Sequence, residues 1–208
     1  MRHPKTMTAV GILSLCSVGI AGCSSPGNNG AEEAQTSLAS QAATEAPSAT
    51  PTIPPADVLY PHPKPEMPAE AQEHSVLGAQ AFSVYFLQMF GYVGATQDLE
   101  EFSTLCVNDS VSCNKFIQHI QQMTKEGSYY EGYELRVLSV NGSLYGGVRA
   151  EVEYGTQLSV LIPAHVLHDA NKPGEVRHEE REVIGAVEVM WNDGWKVVEA
   201  QMKAVDDE

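Results

Sequence analysis

Lysine and arginine are scarce in this chain: there are 12 among 208 residues, against 27 aspartates and glutamates, for a formal net charge of -15. No run of basic residues occurs anywhere, which excludes a nucleic-acid binder, because a polyanion is held by a basic stripe that releases its counterions. A glycine-rich phosphate loop is missing, as are a Gly-x-Ser-x-Gly elbow and a His-Glu-x-x-His zinc helix, and several enzyme classes go with them. Cysteine is limited to 4 residues and aromatics to 7%. What is there is 43% hydrophobic, and the length suits one ordinary domain plus extensions.

The chain opens with Arg2 and Lys5, then an uncharged, largely apolar stretch from Thr6 to Ala21. That is the length of a secretory signal core; a membrane-spanning helix wants about 20 predominantly apolar residues, and this one is diluted by Thr, Ser and Gly. The stretch stops at Ile20-Ala21-Gly22-Cys23, which resembles the bacterial lipobox: an aliphatic residue, two small residues and the cysteine that receives a diacylglycerol and becomes N-terminal. Cys16 does not fit, since Leu15 precedes it. Residues 1–22 are therefore expected to be a lipoprotein signal peptide. Cys23 is the expected lipidation site, and the expected location is the extracytoplasmic face of the cell membrane. Each buried methylene contributes about 0.8 kcal/mol, so more than one acyl chain makes the attachment stable.

Residues 23–68 are expected to be a disordered tether. They are rich in Ala, Ser, Thr, Pro and Gln, with proline clusters at Thr50–Pro55 and Pro61–Pro65, a composition that buries too little surface to fold and favours polyproline II. A flexible coil of this length reaches about 35–40 Å. Removal of Arg2 and Lys5 with the signal leaves 10 basic and 27 acidic residues, a net charge of -17, of which -13 lies from Ala69 onward. A body this acidic is repelled by anionic headgroups, so the lipid alone does the anchoring.

Residues 69–208 form the expected folded domain. Phe82, Tyr85, Phe86, Met89, Phe90 and Val93 recur at helical spacing, predicting a helix from about Ala69 to Val93, with Pro68 at its start and Gly91 and Gly94 at its end. Asp98 with Glu101 suggests a second, short helix from Leu99 to about Leu105, and Phe116, Ile117, Ile120 and Met123 a third from Asn114 to Glu126, closed by Gly127. Beyond it, residues 134–140, 147–154, 157–165, 181–191 and 195–204 read as strands, with turns at Asn141-Gly142 and Asn192-Asp193-Gly194. Helices followed by antiparallel strands give an α+β class, N-terminal helices packed on a curved antiparallel sheet.

From Pro65 to about Gly132 the chain also resembles an uncharacterised family of actinobacterial lipoproteins, and its order of elements resembles the nuclear transport factor 2-like, cystatin-like cone. The resemblance rests on Met67-Pro68, Tyr85-Phe86, the run Tyr92, Thr96, Asp98 and Leu99, the pair Cys106 and Cys113, and the glycines Gly127 and Gly132. It implies a fold and an address, and no catalytic residue.

Cys106 and Cys113 are the only cysteines outside the export signal, and in an exported domain they are expected to pair, stabilising by about 2.5 kcal/mol in the chain-entropy model. Tyr85, Tyr92, Tyr154 and Trp191 are candidates to line an apolar pocket between helix and sheet. His165, His168 and His178, with Asp169, Glu179 and Glu180, carry metal-ligand chemistry, but their spacing splits them between strand faces and an exposed loop, so surface histidines and no metal are expected. Glu151 and Glu153, in phase with Arg149, read as a solvated strand face. Asp98, at a helix cap, favours ionisation. No cofactor is implied. The leading expectation is a non-enzymatic, lipid-anchored domain that binds a small apolar ligand or an envelope protein. A small pocket enzyme and an assembly module using its sheet face, for instance as a homodimer, are the alternatives.

Overall fold

The computed structural model describes residues 53–145 and 150–205. Cys23, the signal segment and most of the expected tether lie outside the described residues, as do residues 146–149, Arg149 among them.

Folded structure begins earlier than Ala69. A short helix α1, Ala56–Leu59, buries Leu59 to 2% exposure, and Tyr60 sets its ring edge-on to Tyr92 at 5.3 Å. The proline-rich strap that follows, Pro61–Pro65, leads into a 3-10 turn at Ala69–Gln72. Ordered structure therefore reaches into the segment expected to be tether, from at least Ala56. Composition could not show this, because the contacts that order the strap come from residues far along the chain.

The core helix α2 spans Val76–Thr96. It starts after Ser75, whose hydroxyl accepts the Gly78 amide at 3.0 Å, rather than at Pro68, which opens only the 3-10 turn. It runs through both glycines expected to end it and closes at Gln97, in the left-handed conformation at φ 62°. Gly91 and Gly94 are where the chain ahead of the main sheet approaches. A Cβ on Gly91 would stand 2.7 Å from the Leu135 amide, and one on Gly94 would stand 2.5 Å from the Tyr133 ring. Although α2 is apolar and long enough by composition to cross a bilayer, it is the core helix of the fold, with Phe82, Tyr85, Phe86 and Met89 buried.

In place of the predicted second helix the chain makes only a 3-10 turn, Phe102–Thr104, because Asp98 folds back to accept the Glu100 amide at 3.2 Å. Phe102 is buried and stacks on Phe86 at 5.3 Å. Helix α3 spans Val111–Glu126, three residues longer at its start than the periodicity suggested, since Ser110 caps it by accepting the Cys113 amide at 3.4 Å. Gly127, at φ 77°, ends it as predicted.

Among the described residues seven strands follow: β1 Tyr129–Glu131, β2 Arg136–Tyr145, β3 Tyr154–Ile162, β4 His165–His168, β5 Glu175–His178, β6 Arg181–Trp191 and β7 Trp195–Ala204. The main antiparallel sheet has the order β2-β3-β6-β7, and a smaller one the order β1-β4-β5. The turn predicted at Asn141-Gly142 is absent. Those residues lie inside β2, where the register slips between Val140 and Gly142 and glycine takes a φ of 136°. Tyr145 at the end of β2 pairs with Tyr154 at the start of β3, and of the described residues in the strand predicted over 147–154 only Tyr154 is in a strand. The Asn192–Gly194 turn stands, with Asp193 at φ 51° and the Asn192 amide on the Gly194 carbonyl at 2.8 Å.

The buried stripe of α2 meets Leu158, Val160, Val187, Val189 and Val197 of the main sheet. Each such side chain contributes about 1.5–3 kcal/mol on burial. The α+β reading of helices packed on a curved antiparallel sheet describes the molecule.

Candidate functional site

Where α2, α3 and the end of β7 converge, they leave an apolar cleft of about 140 Å³. Phe86, Leu87 and Phe90 come from α2, Cys113 and Phe116 from α3, and Ala200 and Met202 from β7. Helical periodicity places Phe86 and Phe90 one turn apart, and Phe90 stacks on Phe116 with ring centroids 3.7 Å apart. The start of α3 is bound to β7: the Glu199 carboxylate accepts the Val111 and Ser112 amides at 3.2 and 3.1 Å, and the Ser112 hydroxyl accepts the Ala200 amide at 2.9 Å. Cys106 and Cys113 stand at disulfide distance, Sγ to Sγ 2.06 Å and Cα to Cα 6.5 Å, tying the α3 start to the segment that bridges to Val197. Among the described residues no carboxylate, imidazole or ammonium group lines the cleft, whose polar lining is Ser112 and Gln201.

The four aromatic residues predicted to line a pocket do not gather there. Tyr85 is fully buried and its hydroxyl donates to Glu101. Tyr92 packs under Tyr60 and donates to Asp98 at 3.4 Å. Tyr154 meets Trp195 edge-on at 5.7 Å, and Trp191 lies parallel to His74 at 4.6 Å. The strap and the 3-10 turn cover the helix face that Tyr85 and Tyr92 share, and neither cover can be read from helical spacing. Phe90, Phe116 and Met202 are among the cleft residues that sequence reasoning missed. The signal was present for the first two, each on the apolar stripe of its own helix, but the pairing of those stripes is a tertiary fact.

Beside the strap sits a polar cluster. Lys64 reaches Glu101 at 3.2 Å and Asp98 at 3.4 Å. Burial disfavours ionisation of Asp98, but the Glu100 amide and the Lys64 charge outweigh it and hold the carboxyl below its ordinary range, so ionisation is favoured by these partners and not by the helix cap expected there. The hydrogen bond from Tyr85, then Lys64, does the same for Glu101 against a burial effect. Burial first, and then Glu101, pushes the Tyr85 phenol well up.

Glu153 is not on a solvated strand face. It lies outside any strand, pairs with His74 at 2.7 Å and accepts the Trp191 amide at 2.9 Å. The His74 hydrogen bond, opposed by burial and helped by the Trp191 amide, lowers its carboxyl. Trp191, on which His74 stacks, lines a second cleft of about 400 Å³ beneath the β6–β7 hairpin, floored by Met67, Phe82 and Leu105.

The histidines divide. His168 pairs with Glu131 at 2.8 Å, and His178 is exposed. His165, expected at the surface, is 7% exposed, covered by Tyr130 and Tyr133, with Nδ1 2.9 Å from the Pro163 carbonyl. Burial lowers its pKa, and the charges of His178 and Arg181 add to that against the Pro163 bond. Among the described residues, no three His, Cys, Asp or Glu side chains come together as a metal set.

No curated protein matches the sequence. Among solved structures, the intermembrane space region of the chloroplast protein ARC6 has a similar fold, at 17% identity and a TM-score of 0.51, over 64% of this chain and 98% of that one. An NTF2-like protein with a cystatin-like fold from Novosphingobium aromaticivorans aligns at 13% identity and a TM-score of 0.33, over 64% of this chain and 85% of the other. A family profile matches residues 46–201, starting inside the proline-rich segment as the ordered strap does, and on that match the chain belongs to the family of unknown function DUF6318.

Proposed function

We propose that this protein is a lipid-anchored extracytoplasmic domain that binds a small apolar ligand. The observation that carries the binding reading is the cleft between α2, α3 and β7, an apolar space walled by Phe86, Phe90 and Phe116 with no titratable group to move a proton. A lining of this kind favours burial of apolar surface over catalysis, which needs an inward-facing acid or base. The anchoring part rests on the sequence Ile20-Ala21-Gly22-Cys23 behind a signal-like stretch, with Cys23 as the acylated residue. A cysteine pair at disulfide distance suits an oxidising compartment.

Mass spectrometry of the purified protein tests the binding part. A retained apolar molecule that disappears in Ala200→Phe, a substitution that fills the cleft, is the expected result. Retention unchanged by that substitution, or no retained molecule and no displacement of a solvatochromic dye, refutes it. For the anchor, Cys23→Ala is expected to move the product from the membrane to the soluble fraction. A Cys23→Ala product that stays with the membrane overturns that part.

A further inference from the structure

The 400 Å³ cleft beneath the β6–β7 hairpin is larger than the apolar one and chemically unlike it. Its floor is apolar: Met67, Phe82 and Leu105, with the half-buried indole of Trp191 on one side. Its rim is polar, formed by Gln72, Thr104, Asp193 and Lys196. We propose that this cleft is a saccharide-binding site, in which a sugar ring lays its apolar face on the Trp191 side and presents its hydroxyls to Gln72, Asp193 and Lys196.

Three observations select that ligand class. The volume falls in the range of small-molecule sites, about 300–1,000 Å³. The rim mixes donors and acceptors at close quarters: the Asp193 carboxylate accepts, the Gln72 amide does both, and Lys196 has donors left after its bond to the Thr104 carbonyl at 2.7 Å. Among the described residues neither Gln72 nor Asp193 engages another side chain, so both are available to a ligand. The rim also carries one charge of each sign, which disfavours a cationic peptide at Lys196 and an anion at Asp193, and leaves a neutral, hydroxyl-rich molecule with an apolar face as the best match.

Trp191 is braced for this role. Its ring lies 11° from parallel to His74 at 4.6 Å, and its backbone amide is held by Glu153, which also holds His74. Ring position is therefore set before any ligand arrives, which lowers the ordering cost of binding. Asp193 is held by the hairpin turn at φ 51°.

The test is calorimetric titration of the purified protein with glucose, galactose, mannose, arabinose and N-acetylglucosamine and their disaccharides, with tetralysine and citrate as charged controls and indole emission as a second readout. The expected result is saturable binding of at least one saccharide with a change in tryptophan emission. That binding should weaken at least about tenfold in Asp193→Asn and in Gln72→Ala, both at exposed positions whose loss leaves the core intact. It should be untouched by Ala200→Phe in the other cleft, so failure here and failure of the apolar-ligand reading are separate outcomes. No saturation by any saccharide, saccharide binding that survives both rim substitutions, or binding of tetralysine or citrate in place of sugars would each overturn the assignment.

Discussion

The imidazoles of His165 and His178 face each other across the β4–β5 pair, nearly parallel, with ring centroids 4.7 Å apart. One is buried and the other exposed. His165 is held neutral by burial, with the neighbouring positive charges adding to the effect. A base whose folded pKa lies below its unfolded value leaves the unfolded chain binding more protons between the two, so stability is full above the unfolded value, about pH 6.5, and falls as pH drops through the folded one. The expected outcome is a melting temperature that declines on acidification below about pH 6.5, with a smaller decline in His165→Gln. Thermal melts of both proteins across that range check it; equal slopes would remove His165 as the cause.

Gly94 and Tyr133 make a second pairwise test. In an ordinary helix, Gly→Ala stabilises by about 1 kcal/mol. Here the added methyl would stand 2.5 Å from the Tyr133 ring, and overpacking of that kind costs about 1–3 kcal/mol. Gly94→Ala should therefore destabilise, and Gly94→Ala combined with Tyr133→Ala should cost less than the sum of the two single changes. Urea denaturation of the four proteins in the cycle gives the coupling.

The strap is expected to be acid-sensitive. Asp98 and Glu101 both have carboxyls held below their ordinary range, so their pairing with Lys64 contributes stability above the usual carboxylate pKa values and loses it as pH falls below about 4. The pairs are solvent-accessible and screened, so the effect is local opening rather than global unfolding. Hydrogen exchange of residues 56–66 should rise on acidification and should already be raised at neutral pH in Lys64→Met. Unchanged exchange in that variant would count against the latch.

Joining Cys106 to Cys113 restrains the α3 start that forms one wall of the apolar cleft. Replacing both with alanine is expected to cost about 2–4 kcal/mol of unfolding free energy and to weaken apolar-dye binding. Intact mass before and after reduction and alkylation establishes the bond, and chemical denaturation measures the loss.

Periodic features were legible from the chain alone. Phe82, Phe86, Met89 and Val93 announce the core helix, Gly127 its later neighbour's end, and Asn192-Asp193-Gly194 the final hairpin. Features that depend on a distant partner were not. Gly91 and Gly94 look like a helix terminus until Leu135 and Tyr133 are seen to need their missing side chains. Asn141-Gly142 has turn chemistry, yet the pairing of Ser139, Val140 and Gly142 with Ser159, Leu158 and Gln157 draws it into β2 as a bulge. Ser75 and Ser110 were better start signals than Pro68 and Asn114, because each supplies a hydroxyl to an otherwise unpaired amide.

Sequence by itself determined the α+β class, the net acidity and the cysteine pair, since each depends on residue type, spacing or count. The tertiary structure alone decided that the strap belongs to the domain, that the four candidate aromatics part company, and that Phe90 meets Phe116 beside β7. Such contacts join residues tens of positions apart, and the local periodicity of a strand or helix says which face is apolar without saying what will cover it.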